Sequence, residues 1–131
     1  NTITHNQANY NAQPGSYSYD TSLTSSYHPT YYTGGTPYTS PVGVFPPNGY
    51  NLFDMSGNVW EWCWDWHDAN WYTNALATAS DTKGPAGPLS FRVLRGGAWV
   101  NYASNARCAD RGGNTPSNAG YNIGFRCVRG F

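Results

Sequence analysis

The chain has 131 residues, seven Lys/Arg against seven Asp/Glu, a formal net charge of zero, and 11% charged against 39% hydrophobic residues. That balance leaves no basic field to draw in nucleic acid or an anionic membrane surface, and no apolar run approaches the roughly 18 residues that a spanning helix needs. The length fits one domain, and 15 Gly with 9 Pro break any regular element every few residues, so a loop-rich architecture is expected.

Residues 1–40 are mostly Asn, Ser, Thr, Tyr, Gly and Pro, with Asp20 the lone acidic residue and no apolar period. Residues 1–4 have neither the basic region nor the apolar stretch of a signal peptide. Tyr10, Tyr17, Tyr19, Tyr27, Tyr31, Tyr32 and Tyr38 supply apolar area that disordered tails lack, so the segment reads as a long structured loop. Residues 41–50 read as an extended piece stopped by a Pro46-Pro47-Asn48-Gly49 turn.

Strict alternation over residues 59–66 predicts a strand, with Trp60, Trp62, Trp64 and Trp66 on one face and Val59, Glu61, Cys63 and Asp65 on the other. Aromatic faces suit carbohydrate rings, but four tryptophans at alternate strand positions are read as core. Residues 67–89 read as loop, residues 91–95 as a second strand, and Gly96-Gly97 as a bulge or a close backbone approach. Residues 101–122 lack apolar periodicity and are expected to run over the surface, and residues 124–129 form a last strand. There is no internal repeat and no long helix pattern.

Cys63, Cys108 and Cys127 do not have the spacings of zinc or redox motifs, and both one disulfide with a leftover thiol and three reduced cysteines fit the count. The low-charge, Asn/Tyr/Trp-rich surface favours a secreted or cell-surface setting. His5, His28 and His67 are isolated, which predicts lone surface or turn histidines. No Ser/His/Asp constellation or phosphate-cradling Gly loop stands out.

Four blocks together carry a family resemblance: Gly49-Tyr50-Asn51-Leu52-Phe53-Asp54-Met55-Ser56-Gly57-Asn58-Val59-Trp60-Glu61-Trp62, Arg92-Val93-Leu94-Arg95-Gly96-Gly97-Ala98-Trp99, Arg107-Cys108-Ala109-Asp110-Arg111 and Asn122-Ile123-Gly124-Phe125-Arg126. With Ala8-Asn9-Tyr10-Asn11 and the Pro41-Val42-Gly43 stretch, they resemble the successive signatures of the formylglycine-generating enzyme (sulfatase-modifying factor) family. The resemblance implies an α+β, loop-rich, C-type-lectin-like fold with short antiparallel strands. The family's N-terminal motifs, W-x-x-A-x-x-Y-C and R-L-P-T-E-A-E-W-E-Y, are not in this sequence. Residues 1–131 are therefore expected to be the C-terminal part of one such domain, with the other half a separate chain, a cleaved piece or a reduced element.

The resemblance also implies a structural calcium ion, held by the carboxylates of Asp54 and Glu61 and the carbonyls of Gly57 and Val59. Hard oxygen donors suit that ion. The alternative is that Asp54 caps a turn and Glu61 pairs with an arginine. A second family calcium site would use Asn9 and Tyr10, but Gly34 stands where the family has an Asp, so it is expected to be weak or lost. Family enzymes bind copper through two cysteines placed between a Gly-Gly pair and an R-x-A-x-R motif, because soft Cu(I) selects sulfur. Here residues 98–106 contain no cysteine, so neither copper nor formylglycine chemistry is expected. The resemblance implies that Cys108 and Cys127 fall on positions that are structural in the family and pair with cysteines of the missing half, which makes them the candidates for a structural disulfide. The family's sulfoxide synthases place metal histidines on a further domain, and this chain has no H-x-x-x-H spacing.

In residues 99–122 a framework of Trp99, Arg107, Ala109, Arg111, Pro116, Ile123, Gly124, Phe125 and Arg126 alternates with Val100, Asn101, Tyr102, Asp110, Gly112, Gly113, Asn114, Gly120, Tyr121 and Asn122. This resembles the variable region of proteins diversified by retroelements that mutate template adenines, since each residue of the second set is reachable from an Asn codon in that way. The expectation is a non-catalytic module that presents these residues to a protein or other surface ligand. The alternative is an accessory or partial chain of a family enzyme whose catalytic residues lie elsewhere.

Overall fold

Residues 2–128 are described by the computed structural model, in which four short strands form one sheet: β1 (Trp60–Trp66), β2 (Arg92–Arg95), β3 (Gly112–Asn114) and β4 (Ile123–Gly124), in the order β3-β2-β1-β4. Two single-turn 3-10 helices, Trp71–Thr73 and Ala75–Thr78, interrupt the loop between β1 and β2. Among the described residues, no helix is long and apolar enough to cross a membrane.

β1 and β2 are antiparallel, with Glu61 opposite Arg95, Trp62 opposite Leu94 and Trp66 opposite Arg92. Four steps on β1 therefore face two on β2, and the irregularity falls between Trp62 and Trp66. Such an insertion bends a strand and re-aims the side chains inside it. The predicted tryptophan core is corrected there: Trp60, Trp62 and Trp66 are half-buried, but Trp64 is 82% exposed. β2 sets Val93 and Leu94 in the core, and its ladder continues at Phe91, whose carbonyl accepts from His67 N.

β3 was expected to be loop, because Gly112-Gly113-Asn114 carries no strand signal. It pairs with β2 through backbone alone, and a Cβ on Gly113 would come within 2.7 Å of the His67 ring. The last strand is shorter than residues 124–129 and parallel to β1, not antiparallel, with Trp60 opposite Ile123 and Glu61 opposite Gly124. The reason is topological: residues 115–122 cross from one edge of the sheet to the other, so β4 enters in the direction of β3. The sheet is mixed, and the predicted Arg129 end lies outside the described residues.

The N-terminal segment is ordered as predicted, around Ala8, Tyr10, Ala12 and Ala103, with Ile3, Tyr17 and Tyr19 packed against them. Isolated bridges stand in for strands there, such as Ala12 with Ser26 and Asn11 with Tyr102. The buried Tyr10 hydroxyl donates to Asp20 Oδ1 at 2.6 Å and lies 2.8 Å from Ser22 Oγ. Burial and the Asp20 bond push its ionisation well up.

His5 and His28 are not surface residues. Both are buried, with ring centroids 5.0 Å apart. His28 Nε2 donates to the His5 carbonyl at 2.8 Å while its Nδ1 accepts from Thr30 N at 3.2 Å, and His5 Nε2 donates to the Tyr10 carbonyl at 3.1 Å. A loop core without long ladders leaves carbonyls that need donors, and neutral imidazoles supply them. Burial holds both rings below the usual histidine value, and His28 adds repulsion at His5. The folded state thus favours neutral rings, whereas the unfolded chain takes up protons as the pH falls through about 6.5. Stability present above that value is lost below it. Melting temperatures measured from about pH 8 to about pH 5 are expected to fall on the acid side, and less steeply in a His28→Gln variant.

Candidate functional site

The loop that enters β1 is pinned on both sides. Gly57 N donates to Gly96 O at 2.7 Å, Asn58 N to Asn9 O at 2.7 Å, and Trp99 N to Asn58 O at 2.8 Å. Asn58 is buried with φ +65, and its side-chain amide exchanges hydrogen bonds with Ser40 N at 2.8 Å and Ser40 O at 3.2 Å. Gly57 has φ +76, and a Cβ there would collide with the Asn9 carbonyl. Gly97 has φ +73, and its Cβ would lie 3.0 Å from the Asn105 backbone. The predicted close approach at Gly96-Gly97 is thus present.

Beyond this knot Asp54, Val59 and Glu61 line one cavity of about 380 Å³, together with Val42, Asn58, Gly124, Phe125 and Arg126. Gly57 is buried and does not line it. Asp54 has φ +53; its Oδ2 accepts from Gly43 N, while its Oδ1 is buried without a hydrogen-bond partner. Glu61 meets Arg126 in a two-pronged pair, Nε to Oε2 at 2.9 Å and Nη2 to Oε1 at 2.8 Å, and Nη2 also donates to the Asp54 carbonyl at 3.1 Å. Hydrogen bonding to Glu61 raises the Arg126 ionisation further.

An orphaned carboxylate oxygen in a cavity with a second carboxylate is a donor set that suits a hard divalent cation. Both Glu61 oxygens hold the Arg126 guanidinium, so a cation taking Glu61 has to exchange with it. Among the described residues no group of three or more His, Cys, Asp or Glu side chains comes together, so such a site rests on these two carboxylates and backbone carbonyls. Asn9 and Tyr10 spend their carbonyls within the protein, on Asn58 N and His5 Nε2, and Gly34 is exposed with φ +86.

In the 99–122 loop Trp99 is 2% exposed, and its ring packs on Tyr38 at 4.9 Å, Tyr27 at 5.7 Å and Tyr121 at 5.8 Å. Its Nε1 has no partner. None of the second set of positions is buried: Tyr102, Gly113, Gly120 and Tyr121 are exposed, and Val100, Asn101, Asp110, Gly112, Asn114 and Asn122 are half-exposed. Gly112 to Asn114 form β3 at one edge of the sheet, whereas Gly120, Tyr121 and Asn122 lead into β4 at the other. Asn11 N braces the loop from below by donating to Asn101 O at 2.9 Å.

Of the nine framework residues Trp99 alone is buried; Arg111, Ile123 and Gly124 are half-buried, and Arg107, Ala109, Pro116, Phe125 and Arg126 are exposed. Arg107 turns its Nε back to Ser104 O at 2.9 Å, and Phe125 is 77% exposed because β4 stops one residue before it. Sequence reasoning missed Tyr27 and Tyr38 as the supports of Trp99; their excess over a polar background was the available signal. Of the two cysteine states left open by the count, the structure shows three free thiols, Cys63, Cys108 and Cys127, of which the last two are exposed.

The family described as the sulfatase-modifying factor enzyme 1-like domain matches residues 4–131. The formylglycine-generating enzyme of Thermomonospora curvata is 43% identical over 106 residues, covering 76% of this chain and 35% of that enzyme. Treponema denticola variable protein 1 superposes with a TM-score of 0.56 at 35% identity, over 72% of this chain and 33% of that one. PvdO from Pseudomonas aeruginosa gives 0.65 at 27% identity, over 92% and 38%. The chain thus spans between 33% and 38% of the length of these three relatives.

Gly57→Ala is expected to destabilise the protein by at least about 2 kcal/mol, since it combines a positive φ with a backbone collision. Denaturant unfolding monitored by tryptophan fluorescence measures it; a loss below about 0.5 kcal/mol contradicts the close packing of Gly57 on Asn9.

Proposed function

Since the chain belongs to the sulfatase-modifying factor enzyme 1-like family, we propose that it is a member that binds instead of oxidising: a non-catalytic module that presents residues of the 99–122 loop to a protein or other surface ligand. One observation carries this reading. The segment between Gly97 and Arg107, where the family's enzymes are expected to hold copper between two thiolates, has no cysteine. The three thiols present are free, with Cys63 half-buried on β1 and its ionisation pushed up by burial. A lone thiol held protonated is a poor ligand for a soft metal.

The similarity to a protein named as variable supports the binding reading. So does the separation between a buried Trp99 and the unburied positions Val100, Asn101, Tyr102, Asp110, Gly112, Gly113, Asn114, Gly120, Tyr121 and Asn122. Tyr, Asn and Gly on a fixed frame are the residue types of adaptable paratopes. Diversification by a retroelement predicts a nearby reverse-transcriptase gene and a near-copy of the codons for 98–126 that differs only at adenines. Sequencing of the genomic locus checks this, and a locus with neither one contradicts it.

Calcium is the structural cofactor in this proposal, held by Asp54 and Glu61 with the carbonyls of Gly57 and Val59. When bound it supplies a hard positive centre for the orphaned Asp54 oxygen. Calcium at saturation is expected to raise the melting temperature by several degrees over chelator-treated protein, and Asp54→Asn to remove most of that gain. An unchanged melting temperature argues against the site.

The identity to a formylglycine-generating enzyme favours a second reading, an accessory or partial chain of such an oxidoreductase. The purified chain, with or without copper, is expected to leave the cysteine of a sulfatase-type peptide unoxidised. Peptide mass spectrometry that detects formylglycine reverses the preference between the two readings.

A further inference from the structure

Trp64 borders a feature that neither reading uses. Arg92, opposite Trp66 across the β1–β2 pair, lays its guanidinium carbon 3.7 Å from the Trp66 ring centroid and 4.9 Å from that of Trp64. Its Nη1 donates to the Trp64 carbonyl. Among the described residues the Glu61–Arg126 pair is the sole salt bridge, so Arg92 has no carboxylate partner. Arg92, Trp62, Cys63, Trp64 and Pro116 line a cavity of about 200 Å³ whose walls contain one cation and no acid. The nearest carboxylate in sequence, Asp65, packs against Gly84 and is not part of that lining.

We propose that this cavity binds a six-membered ring carrying one carboxylate, with the ring against the Trp64 indole and the carboxylate on the Arg92 guanidinium. Three properties of the site select that chemistry. An indole left open to solvent offers a flat π face, against which sugar C–H edges and aromatic rings both stack. A guanidinium seated on indoles is partly stripped of water, and its planar fork matches a carboxylate in a two-point contact. The cavity is of single-ring size, and with no acid in its walls a neutral ligand would leave the cation uncompensated. Trp62 closes the apolar side, and Pro116 forms the wall from the 115–122 crossing. None of the positions proposed to vary lines it, so the inference stands or falls apart from the binding-loop reading.

An acidic sugar and an aromatic acid share this chemistry, and the test separates them. The intact chain is titrated with glucuronate, glucose, benzoate and benzyl alcohol, followed by NMR at the Trp64 indole N–H and the Arg92 Nε–H. At least one acid is expected to shift both signals saturably, with millimolar affinity, and its neutral counterpart to bind at least roughly tenfold more weakly. Saturation by glucuronate alone assigns the site to acidic sugars, and by benzoate alone to aromatic acids. Trp64→Ala, at an exposed position, is expected to keep the melting temperature and abolish the shifts. Arg92→Lys keeps the charge but loses the fork and is expected to weaken binding roughly tenfold. The proposal is overturned if neither acid saturates by concentrations on the order of 10 mM, if the neutral analogues bind equally, or if Trp64→Ala binds as the wild type does.

Discussion

The fold depends on one buried asparagine. Asn58 receives nothing from a regular ladder, yet its backbone N–H binds Asn9, its carbonyl binds Trp99, and its amide reads both backbone groups of Ser40. Three segments remote in sequence are thereby fixed at the point where β1 begins. A left-handed backbone at Asn58 and a neighbouring glycine without a Cβ are what let the chain pass between them. Buried backbone groups must be paired, and in a chain with so little sheet and helix the pairing falls to side chains of this kind.

The same constraint explains what could be read from the residues. The alternation of residues 59–66 gave β1, and the paired glycines at 96 and 97 gave the close approach. The ordered blocks gave the family, and hence the loop-rich fold, but with antiparallel strands expected where the last strand runs parallel to β1. Positions whose geometry depends on remote backbone were not legible. The bulge that turns Trp64 outward follows from how β2 pairs, and β3 is made of Gly-Gly-Asn, whose side chains say nothing about a ladder. His5 and His28, far apart and unpatterned, meet because their rings satisfy carbonyls of a loop core. The candidate site was half legible: sequence grouped Asp54, Val59 and Glu61, which do share a cavity, and offered an arginine pair for Glu61 as the alternative to calcium, but did not single out Arg126 as the partner.

A division of labour runs through the aromatic residues. Tyr27 and Tyr38 lie under Trp99 and fix the start of the candidate loop, Tyr121 reaches the same indole from solvent, and Trp64 faces outward on another part of the molecule. Rigid rings at the base of a loop allow outer positions such as Val100 and Tyr102 to change with little loss of packing, because the free energy of burial resides in the rings beneath them, whereas Gly113 is held by the His67 ring. The polar, glycine-rich composition of residues 110–122 is compatible with order for that reason.

The stitching at Asn58 also governs how the chain reaches its native state. Its partners lie eighteen to about fifty residues away, so the strand that organises the sheet has no complete local support until the first dozen residues and the loop after β2 have both arrived. Loops of that length close at an entropic cost before any contact offsets it, and contacts so remote in sequence slow folding in general. Nicking or trimming the chain near Asn9 would leave the Asn58 backbone N–H without its acceptor. The segment that looks least like structure in the sequence is therefore the one that completes the knot at Asn58.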